Sequence, residues 1–259
     1  MARAFTRAVS RRLPECQLTH LARTPIDVAK AVEQHAAYER ALSDAEFEIA
    51  RLPELADAPD AVFVEDTALI LDGHAIVTRP GAASRLDETE STAAGLADFF
   101  SLNRIDRGHV DGGDVLRIGR TLYAGLSTRT DAAGIIALRE AVAPLGYEVV
   151  QAELRDCLHL KTGVTLAGLD AHGVPVLLYN QRAVDPRQFA GVEPVAVDEA
   201  EDAAANCLRA GDRLILPAGN PRTAGTLRDR GFQVTEVDVS ELQKAEAGVT
   251  CMSLIDERP

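Results

Sequence analysis

The sequence predicts an α/β fold in which five similar units form a closed radial array. One observation is a recurring pattern of two short apolar runs, a helical segment and a further apolar run. The other is the nearly equal spacing, about 45 to 48 residues, of five polar residues that begin the units. In a closed array such equivalent positions face one axis, so their side chains meet in one cavity. They are Asp66, Asp111, His159, Asn206 and Cys251. The alternative is an ordinary α/β or α+β domain whose elements have similar lengths.

The first two units show the pattern most clearly. In the first, "VFVEDTALIL" and "AIVTR" are predicted strands around an Asp72-Gly73 turn, and a helix follows at 85–100. The second unit has predicted strands at "DVLRI", "TLYAGL" and "YEVVQAEL" and a helix at 130–145.

The later units repeat these elements less regularly. The third, "CLHLKTGVTLAGLDAHGVPVLLYN", has a predicted hairpin turn near 169–173. The fourth joins "ANCLRAGDRLILPAG" to a helix at "PRTAGTLRDRGF" and a strand at "FQVTEVDVS".

The final run, "GVTCMSLI", is a predicted strand without a hairpin partner of its own. The N-terminal segment "AFTRAVSRR" can pair with it and close the ring. A helix is also predicted at 27–42. One face of this helix carries Val28, Ala31, Val32, His35, Tyr38 and Leu42.

Composition and charge narrow the class of protein. A chain of 259 residues with 46% hydrophobic residues can bury a substantial core, and we expect a single domain over 1–259. The net charge of −13 disfavours nucleic acid and anionic membranes and favours a small cationic ligand. Without a signal-like or membrane-spanning apolar segment, a cytoplasmic location is predicted. A homodimer remains open.

The four cysteines are widely scattered. They form no C-x-x-C pair and have no histidine at zinc-finger spacing, so neither structural zinc nor a disulfide framework is predicted. No metal and no cofactor are expected. A dispersed cytosolic thiol is usually buried and inert, and that interpretation is favoured for each cysteine taken alone.

A thiol and an imidazole at equivalent positions suggest nucleophilic catalysis by Cys251 with His159 as acid and base. Several carboxylates near a thiol suit a planar guanidinium, which they bind through paired hydrogen bonds. They also raise the thiol pKa before the cation arrives. For Asp111 and Asp114, in "VDGGDV", a solvated hairpin turn is the favoured alternative. On a strand, at most one of Glu65 and Asp66 faces the cavity.

Six stretches can be compared with known families: "DAVFVEDTALI", "IVTRPGAASR", "VDGGDVLRIGRTLYAGLSTRTDAAG", "LHLKTGV", "AANC" and "GVTCMSL". Together they resemble the dimethylarginine dimethylaminohydrolases of the guanidino-group-modifying superfamily. The resemblance covers nearly the whole chain, and the stretches occur in family order. It implies a five-bladed α/β-propeller (pentein) of ββαβ units with pseudo-fivefold symmetry. It also implies hydrolysis of dimethylarginine or monomethylarginine to citrulline through a covalent thiouronium adduct.

The resemblance also implies roles for single residues. Cys251 is then the nucleophile and His159 the general acid and base. The remaining residues contact the substrate: Asp66 and Asp111 hold the guanidinium, Asp60, Glu65 and the Ala245 carbonyl hold the amino acid end or its nitrogens, Arg85 and Arg129 bind the carboxylate, and Leu18, or alternatively Leu21, lies on a lid. Asn206 receives a structural role.

Two positions depart from related patterns. Some bacterial members carry glutamate where this chain has Asp111. Arginine deiminases place a second acid two residues after the histidine, where this chain has Lys161. The second departure favours N-methylated guanidinium, because methyl groups donate no hydrogen bonds. An arginine deiminase, an agmatine-type iminohydrolase and a non-catalytic propeller that binds such ligands remain the alternatives.

Overall fold

In the computed structural model, which describes residues 2–258, fifteen strands form five three-stranded sheets. The sheets are β3-β4-β5, β6-β7-β8, β9-β10-β11, β12-β13-β14 and β15-β1-β2. The strands are β1 Arg3–Thr6, β2 Glu48–Arg51, β3 Ala68–Leu71, β4 His74–Val77, β5 Ser101–Arg104, β6 Val115–Ile118, β7 Thr121–Gly125, β8 Glu148–Ala152, β9 Val164–Leu169, β10 Pro175–Tyr179, β11 Glu193–Ala196, β12 Leu208–Ala210, β13 Arg213–Pro217, β14 Gln233–Val237 and β15 Leu254–Asp256.

All five sheets share one topology. The first strand pairs antiparallel with the second, and the second pairs parallel with the third. A parallel pair needs a crossover, and in most units this connection is a helix. The helices are α1 Val28–Asp44, α2 Glu88–Leu96, α3 Ala132–Val142, α4 Leu160–Gly163, α5 Pro221–Asp229 and α6 Ser240–Gln243. The predicted repeat of five similar units is therefore confirmed.

The predicted closure of the ring is also confirmed. β1 lies antiparallel to β15, with Arg3 opposite Asp256 and Phe5 opposite Leu254. The fifth sheet thus combines strands from both ends of the chain. The predicted Asp72-Gly73 turn joins β3 to β4, and both residues have positive φ, as a tight two-residue hairpin requires.

The five equivalent residues lie in or beside short helical turns rather than in strands. Asp66 and Cys251 lie within the 3₁₀ helices Val64–Thr67 and Thr250–Met252. The predicted strand at "GVTCMSLI" is therefore wrong around the thiol, and β15 begins only at Leu254. Hydrophobic residues alone could not show this, because Val, Thr and Met fit a buried turn as well as a strand. Asp111, His159 and Asn206 flank the turns Gly112–Asp114, Leu160–Gly163 and Asp202–Ala205.

Two further predictions need correction. In the third unit, the crossover from β10 to β11 contains only the 3₁₀ helix Pro186–Gln188 in place of an α-helix. On α1, Val32 is 48% exposed, whereas Ala31, Tyr38 and Leu42 are buried as expected. Buried Gln34 and Glu39 hold polar contacts on the inner face that a purely apolar pattern does not reveal. Among residues 2–258, no helix combines the length and apolarity needed to cross a membrane.

Candidate active site

A narrow cavity of about 20 Å³ lies beside the short helices. Seven of the ten predicted site residues line it. Five residues that the sequence did not single out also line it: Gln17, Phe63, Leu158, Glu246 and Ala247. The seven predicted ones are Asp60, Asp66, Arg85, Arg129, His159, Ala245 and Cys251. The structure thus brings a thiol, an imidazole, carboxylates and a guanidinium into one confined space.

One carboxylate holds the His159 ring, and a second holds the backbone of the residue that follows it. Nε2 of His159 lies 2.9 Å from Oδ2 of Asp111, whose other oxygen accepts a hydrogen bond from the Gly81 amide at 2.8 Å. Asp114 accepts a hydrogen bond from the Leu160 amide at 2.9 Å, at the start of α4. Both aspartates are fully buried, so the solvated turn favoured by the sequence is wrong. Asp111 therefore acts on the imidazole from just outside the cavity.

Burial disfavours a charged His159, but the surrounding carboxylates outweigh it. Asp66, Asp111 and Asp114 raise the pKa of His159 to about 9. The imidazole is therefore protonated at neutral pH and can donate a proton to a leaving group. A Cβ on Gly113 would lie 2.7 Å from His159 Nδ1, so a glycine is needed where the ring approaches the backbone.

Cys251 also lines the cavity, and the Gly248 amide donates to its Sγ at 3.3 Å. Burial raises the pKa of the Cys251 thiol to about 12, and Glu65 and Asp66 add to the rise. The predicted effect of the carboxylates on the thiol is confirmed. In the absence of a cation the sulfur is therefore a neutral thiol, and a positive charge in the cavity opposes the carboxylates.

Arg85 is the most heavily bonded side chain of the site. Its guanidinium is 3% exposed and donates to Asp66, to Glu88 and to the Phe63 carbonyl. Although burial opposes ionisation of Asp66, His159 and Arg85 lower the pKa of this carboxyl. Arg85 therefore fixes a charged Asp66 at the edge of the cavity. Its predicted contact with a substrate carboxylate stays a prediction.

Arg129 is only partly buried, and its Nη2 donates to Thr19 Oγ1 at 3.0 Å. Asp60 lies nearby and accepts hydrogen bonds from the Gln17 amide at 3.1 and 3.2 Å. Burial raises the pKa of Asp60 to about 6. These contacts bind the loop 17–21, which we call the lid loop, to the cavity wall.

Glu246 holds the lid loop from the opposite side. Its carboxylate accepts hydrogen bonds from the amides of Thr19, His20 and Leu21, at 2.5 to 3.0 Å. Leu18 is half-buried against the core and Leu21 is 51% exposed, while Gln17 is the member of this loop that lines the cavity. The sequence gives no signal for Glu246, because a lone glutamate in a polar segment is usually solvated.

Glu65 points away from the cavity that holds Asp66, as expected for only one of the two. Its carboxylate accepts hydrogen bonds from Lys161 Nζ at 2.6 Å and Thr250 Oγ1 at 2.7 Å. Burial raises the pKa of Glu65, although Lys161 and Thr250 oppose the shift. These three side chains border a second cavity on the far side of the short helices. Its predicted substrate contact stays a prediction.

Asp66, Asp111 and His159 offer ligand atoms within 4.8 Å of one another, a cluster that could hold a metal ion. The same atoms already serve other partners. Asp66 accepts from Arg85 and from the Gly113 amide, and Asp111 is bonded directly to His159. The carboxylates are equally suited to the flat N–H edge of a guanidinium.

Comparison with known proteins places this arrangement in a family. The chain is 40% identical over 231 residues to the N(G),N(G)-dimethylarginine dimethylaminohydrolase of Pseudomonas aeruginosa, covering 88% of this chain and 89% of that protein. It is 38% identical over 256 residues to the protein of the same name from Streptomyces coelicolor, covering 97% and 96%.

The chain belongs to the dimethylarginine dimethylaminohydrolase family. The predicted resemblance is thereby confirmed, although no family model matches the chain. A solved structure of the Pseudomonas aeruginosa enzyme, a cysteine-to-serine mutant complexed with citrulline, aligns with a TM-score of 0.92. The two chains are 36% identical, and 98% of each is covered. The predicted pentein fold of this family is confirmed as well.

Proposed function

We propose that the protein hydrolyses Nω,Nω-dimethyl-L-arginine and Nω-methyl-L-arginine to L-citrulline plus dimethylamine or methylamine. The observation that carries this proposal is the shared cavity of Cys251 and His159, lined by Asp66 and Arg129, in a chain of this family. Hydrolysis consumes one water per substrate.

In the first half-reaction, the cationic guanidinium enters between the carboxylates and stabilises the Cys251 thiolate, and the thiol proton leaves to solvent. Sγ attacks the central carbon and forms a C–S bond. Protonated His159 then gives its proton to the methylated nitrogen, the C–N bond breaks, and the amine leaves. The remaining carbon is a thiouronium bound to Cys251.

In the second half-reaction, neutral His159 takes a proton from water, and the oxygen attacks the thiouronium carbon. The C–S bond breaks, the departing thiolate takes up the proton of the new hydroxyl, and the C–O group becomes the ureido carbonyl of citrulline. Asp111 holds the imidazole in position for both transfers. Its carboxylate also stabilises the imidazolium before the first transfer.

The other cavity residues bind the substrate in this proposal. Asp66 accepts hydrogen bonds from the guanidinium, and Arg129, whose guanidinium is partly exposed, binds the substrate carboxylate together with Arg85. Asp60 and the Ala245 carbonyl face the amino acid end. Glu65 and Leu18 act from outside the cavity, one behind Asp66 and the other on the lid loop.

The test is formation of citrulline by purified protein from each methylarginine, with arginine and agmatine assayed in parallel. We expect the highest kcat/KM with a methylarginine and little activity with agmatine, which lacks the carboxylate that Arg129 binds. A higher kcat/KM with arginine would instead assign an arginine deiminase activity. If folded, reduced protein forms no citrulline, the proposal is excluded.

We also propose a cytoplasmic location, in keeping with the charge of the protein and its unpaired thiols.

A further inference from the structure

Asn206 occupies one of the five equivalent positions, yet the proposed reaction gives it no chemical step. Its side chain is 5% exposed and lies at the end of the 3₁₀ helix Asp202–Ala205. A buried amide must satisfy its donors and its acceptor within the protein. The partners of this amide therefore indicate its role.

The Asn206 amide bonds to both chain segments that carry reacting groups. Nδ2 donates to the carbonyl of Lys161, two residues after His159, at 2.9 Å. Nδ2 also donates to Thr250 Oγ1 at 3.0 Å, and Oδ1 accepts from the Thr250 amide at 3.1 Å. Thr250 immediately precedes Cys251, so one side chain joins the nucleophile's segment to the imidazole's segment.

We propose that Asn206 is a positioning residue that fixes the Cys251 thiol relative to the His159 ring. For its effect on turnover the proposal rests on the proposed function. Proximity effects are steep, since a displacement of about 1 Å can lower a rate about 100-fold. A side chain that never touches the substrate can therefore control the reaction.

The bonds of Asn206 belong to a closed circuit of side chains. Thr250 Oγ1 donates its one proton to Glu65 at 2.7 Å, and Lys161 Nζ donates to the other oxygen of Glu65 at 2.6 Å. Because the Thr250 hydroxyl proton is committed to Glu65, the hydroxyl oxygen must accept from its remaining neighbour. Only a donor fits there, so the circuit requires the amide of Asn206 and excludes an aspartate.

Gly248 shows how closely the loop before Cys251 follows this amide. A Cβ on Gly248 would lie 2.2 Å from Asn206 Oδ1, so the backbone packs directly on the side chain. The Gly248 amide is also the group that donates to Cys251 Sγ. Asn206 therefore sets the path of the loop and, through it, the placement of this N–H against the sulfur.

The principal test is Asn206→Asp, which keeps the shape and removes both donors. We expect kcat to fall about 10- to 100-fold, with KM within threefold of the starting value. Alkylation of Cys251 by iodoacetamide, measured on its peptide by mass spectrometry at pH 8 to 11, should slow severalfold. A role in folding alone lowers the melting temperature and leaves both rates unchanged per folded molecule.

A matched control is Asn220→Asp. Asn220 is equally buried and donates to the Pro217 carbonyl at 2.8 Å, in the same unit but outside the cavity. We expect its kcat and alkylation rate to stay within twofold.

Two uncharged substitutions of Thr250 test the same hydrogen bonds from the other partner. Thr250→Val should reproduce the losses of Asn206→Asp, and Thr250→Ser, which keeps the hydroxyl, should restore most of the rate.

The outcomes separate clearly. Losses in Asn206→Asp and Thr250→Val, with recovery in Thr250→Ser, support positioning. Rates within twofold in both loss variants, or an equal loss in Asn220→Asp, overturn it. If Asn206→Asp does not fold, equal rates in the two Thr250 variants overturn it. If the unsubstituted protein makes no citrulline, the proposed function fails, while the alkylation comparison still decides the positioning.

Discussion

The two cavities, one on each side of the short helices, differ sharply, although both lie in the same ring of five units. On one side, the cavity that contains Cys251 and His159 measures about 20 Å³ and is covered by the lid loop. On the other side, the first strands of the five sheets line an open cavity of about 690 Å³. Arg117 and Arg209, on the strands that line it, form ion pairs and remain about half exposed.

The difference shows what a reactive site requires. In the closed cavity, buried polar side chains are bonded to one another or to the backbone, which fixes their positions. Burial and neighbouring charges perturb the pKa values of His159 and Cys251. In the open cavity, exposed ion pairs contribute little to stability and tolerate movement. Glu65, Lys161 and Thr250 separate the two. Substitutions on the closed side should therefore have large effects and those on the open side small ones.

The largest effect is expected for Cys251→Ser. A serine hydroxyl ionises far less readily than a thiol, and we expect kcat to fall by about 10⁴-fold or more while the fold is kept. Citrulline formation measures the loss. Cys157→Ser is the control, because Cys157 Sγ donates to the His159 carbonyl at 3.4 Å and a serine can donate there too. Residual turnover within tenfold would remove Cys251 from the chemistry.

The pH dependence of kcat/KM should report the ionisation of His159 and Cys251 in the closed cavity. The resting protein carries a protonated His159, with a pKa of about 9, and a neutral Cys251, with a pKa of about 12. The reacting state has one proton fewer. kcat/KM should therefore rise about tenfold per pH unit and level off near pH 9.

Asp111→Asn sharpens this prediction. The substitution removes a carboxylate that raises the His159 pKa, so the break in kcat/KM should move to lower pH. The plateau should fall about 100-fold, because the pair of imidazolium and thiolate is less favoured. An unchanged break in this variant would show that another group titrates.

Arg129→Gln should act mainly on binding. Loss of a charged hydrogen-bond donor to the substrate carboxylate predicts a rise in KM of about 10- to 100-fold, with a smaller change in kcat. Arg120→Gln, at an exposed arginine paired with Asp72, is the control. An unchanged KM would assign the carboxylate to Arg85. Arg85 itself is a poor target, since its removal leaves the buried carboxylate of Glu88 without its partner, at a cost of about 3–5 kcal/mol.

Glu246→Gln tests whether the lid loop keeps the cavity closed. An amide oxygen accepts the backbone N–H groups of Thr19 to Leu21 more weakly than a carboxylate does, by about 1 kcal/mol. We expect about fivefold faster hydrogen exchange in the loop and a similar rise in KM. Glu33→Gln, at an exposed glutamate of α1, provides the control. Unchanged exchange in the loop would remove Glu246 from its closure.

The smallest effect is expected on the open side. Arg209 borders the large cavity and pairs with Glu257 at 3.3 Å, with both side chains about half exposed. Arg209→Gln should change kcat and KM by less than twofold. Steady-state assays with a methylarginine measure this. A larger loss would show that the open cavity takes part in the reaction, and the contrast between the two sides would fail.

The ring could be predicted because it depends on a period, and a period survives differences in individual letters. The equal spacing that joins Asp66 to Cys251 is visible without any contact being known. The pairing of β1 with β15 follows from the unpartnered final strand. The short helical turns at the five equivalent positions could not be predicted from the sequence. The turn around Cys251 is stabilised by Asn206, which is distant in sequence, so no local pattern announces it.

In the active site, the reacting residues could be predicted from the sequence, but several of the carboxylates around them could not. Cys251 and His159 stand out because thiols and imidazoles are the common nucleophiles and bases. The burial of Asp114 could not be predicted, because D-G-G-D is also typical of a solvated turn. Its contacts with the Leu160 amide and with Ser127 Oγ are seen only in the structure. Glu246 binds backbone amides of a loop from the other end of the chain. Such contacts depend on the ring having closed, and a sequence contains no local trace of them.

The pairing of Arg3 with Asp256 has a consequence for how the protein folds. Contacts between residues so distant along a chain form slowly, because a long loop must close first. Cys251 lies three residues before the strand that makes this pairing, and the lid loop follows β1. The reactive pocket should therefore assemble last, when the earlier four sheets are already in place. Appearance of turnover during refolding would then mark the closing of the ring, later than the gain of secondary structure.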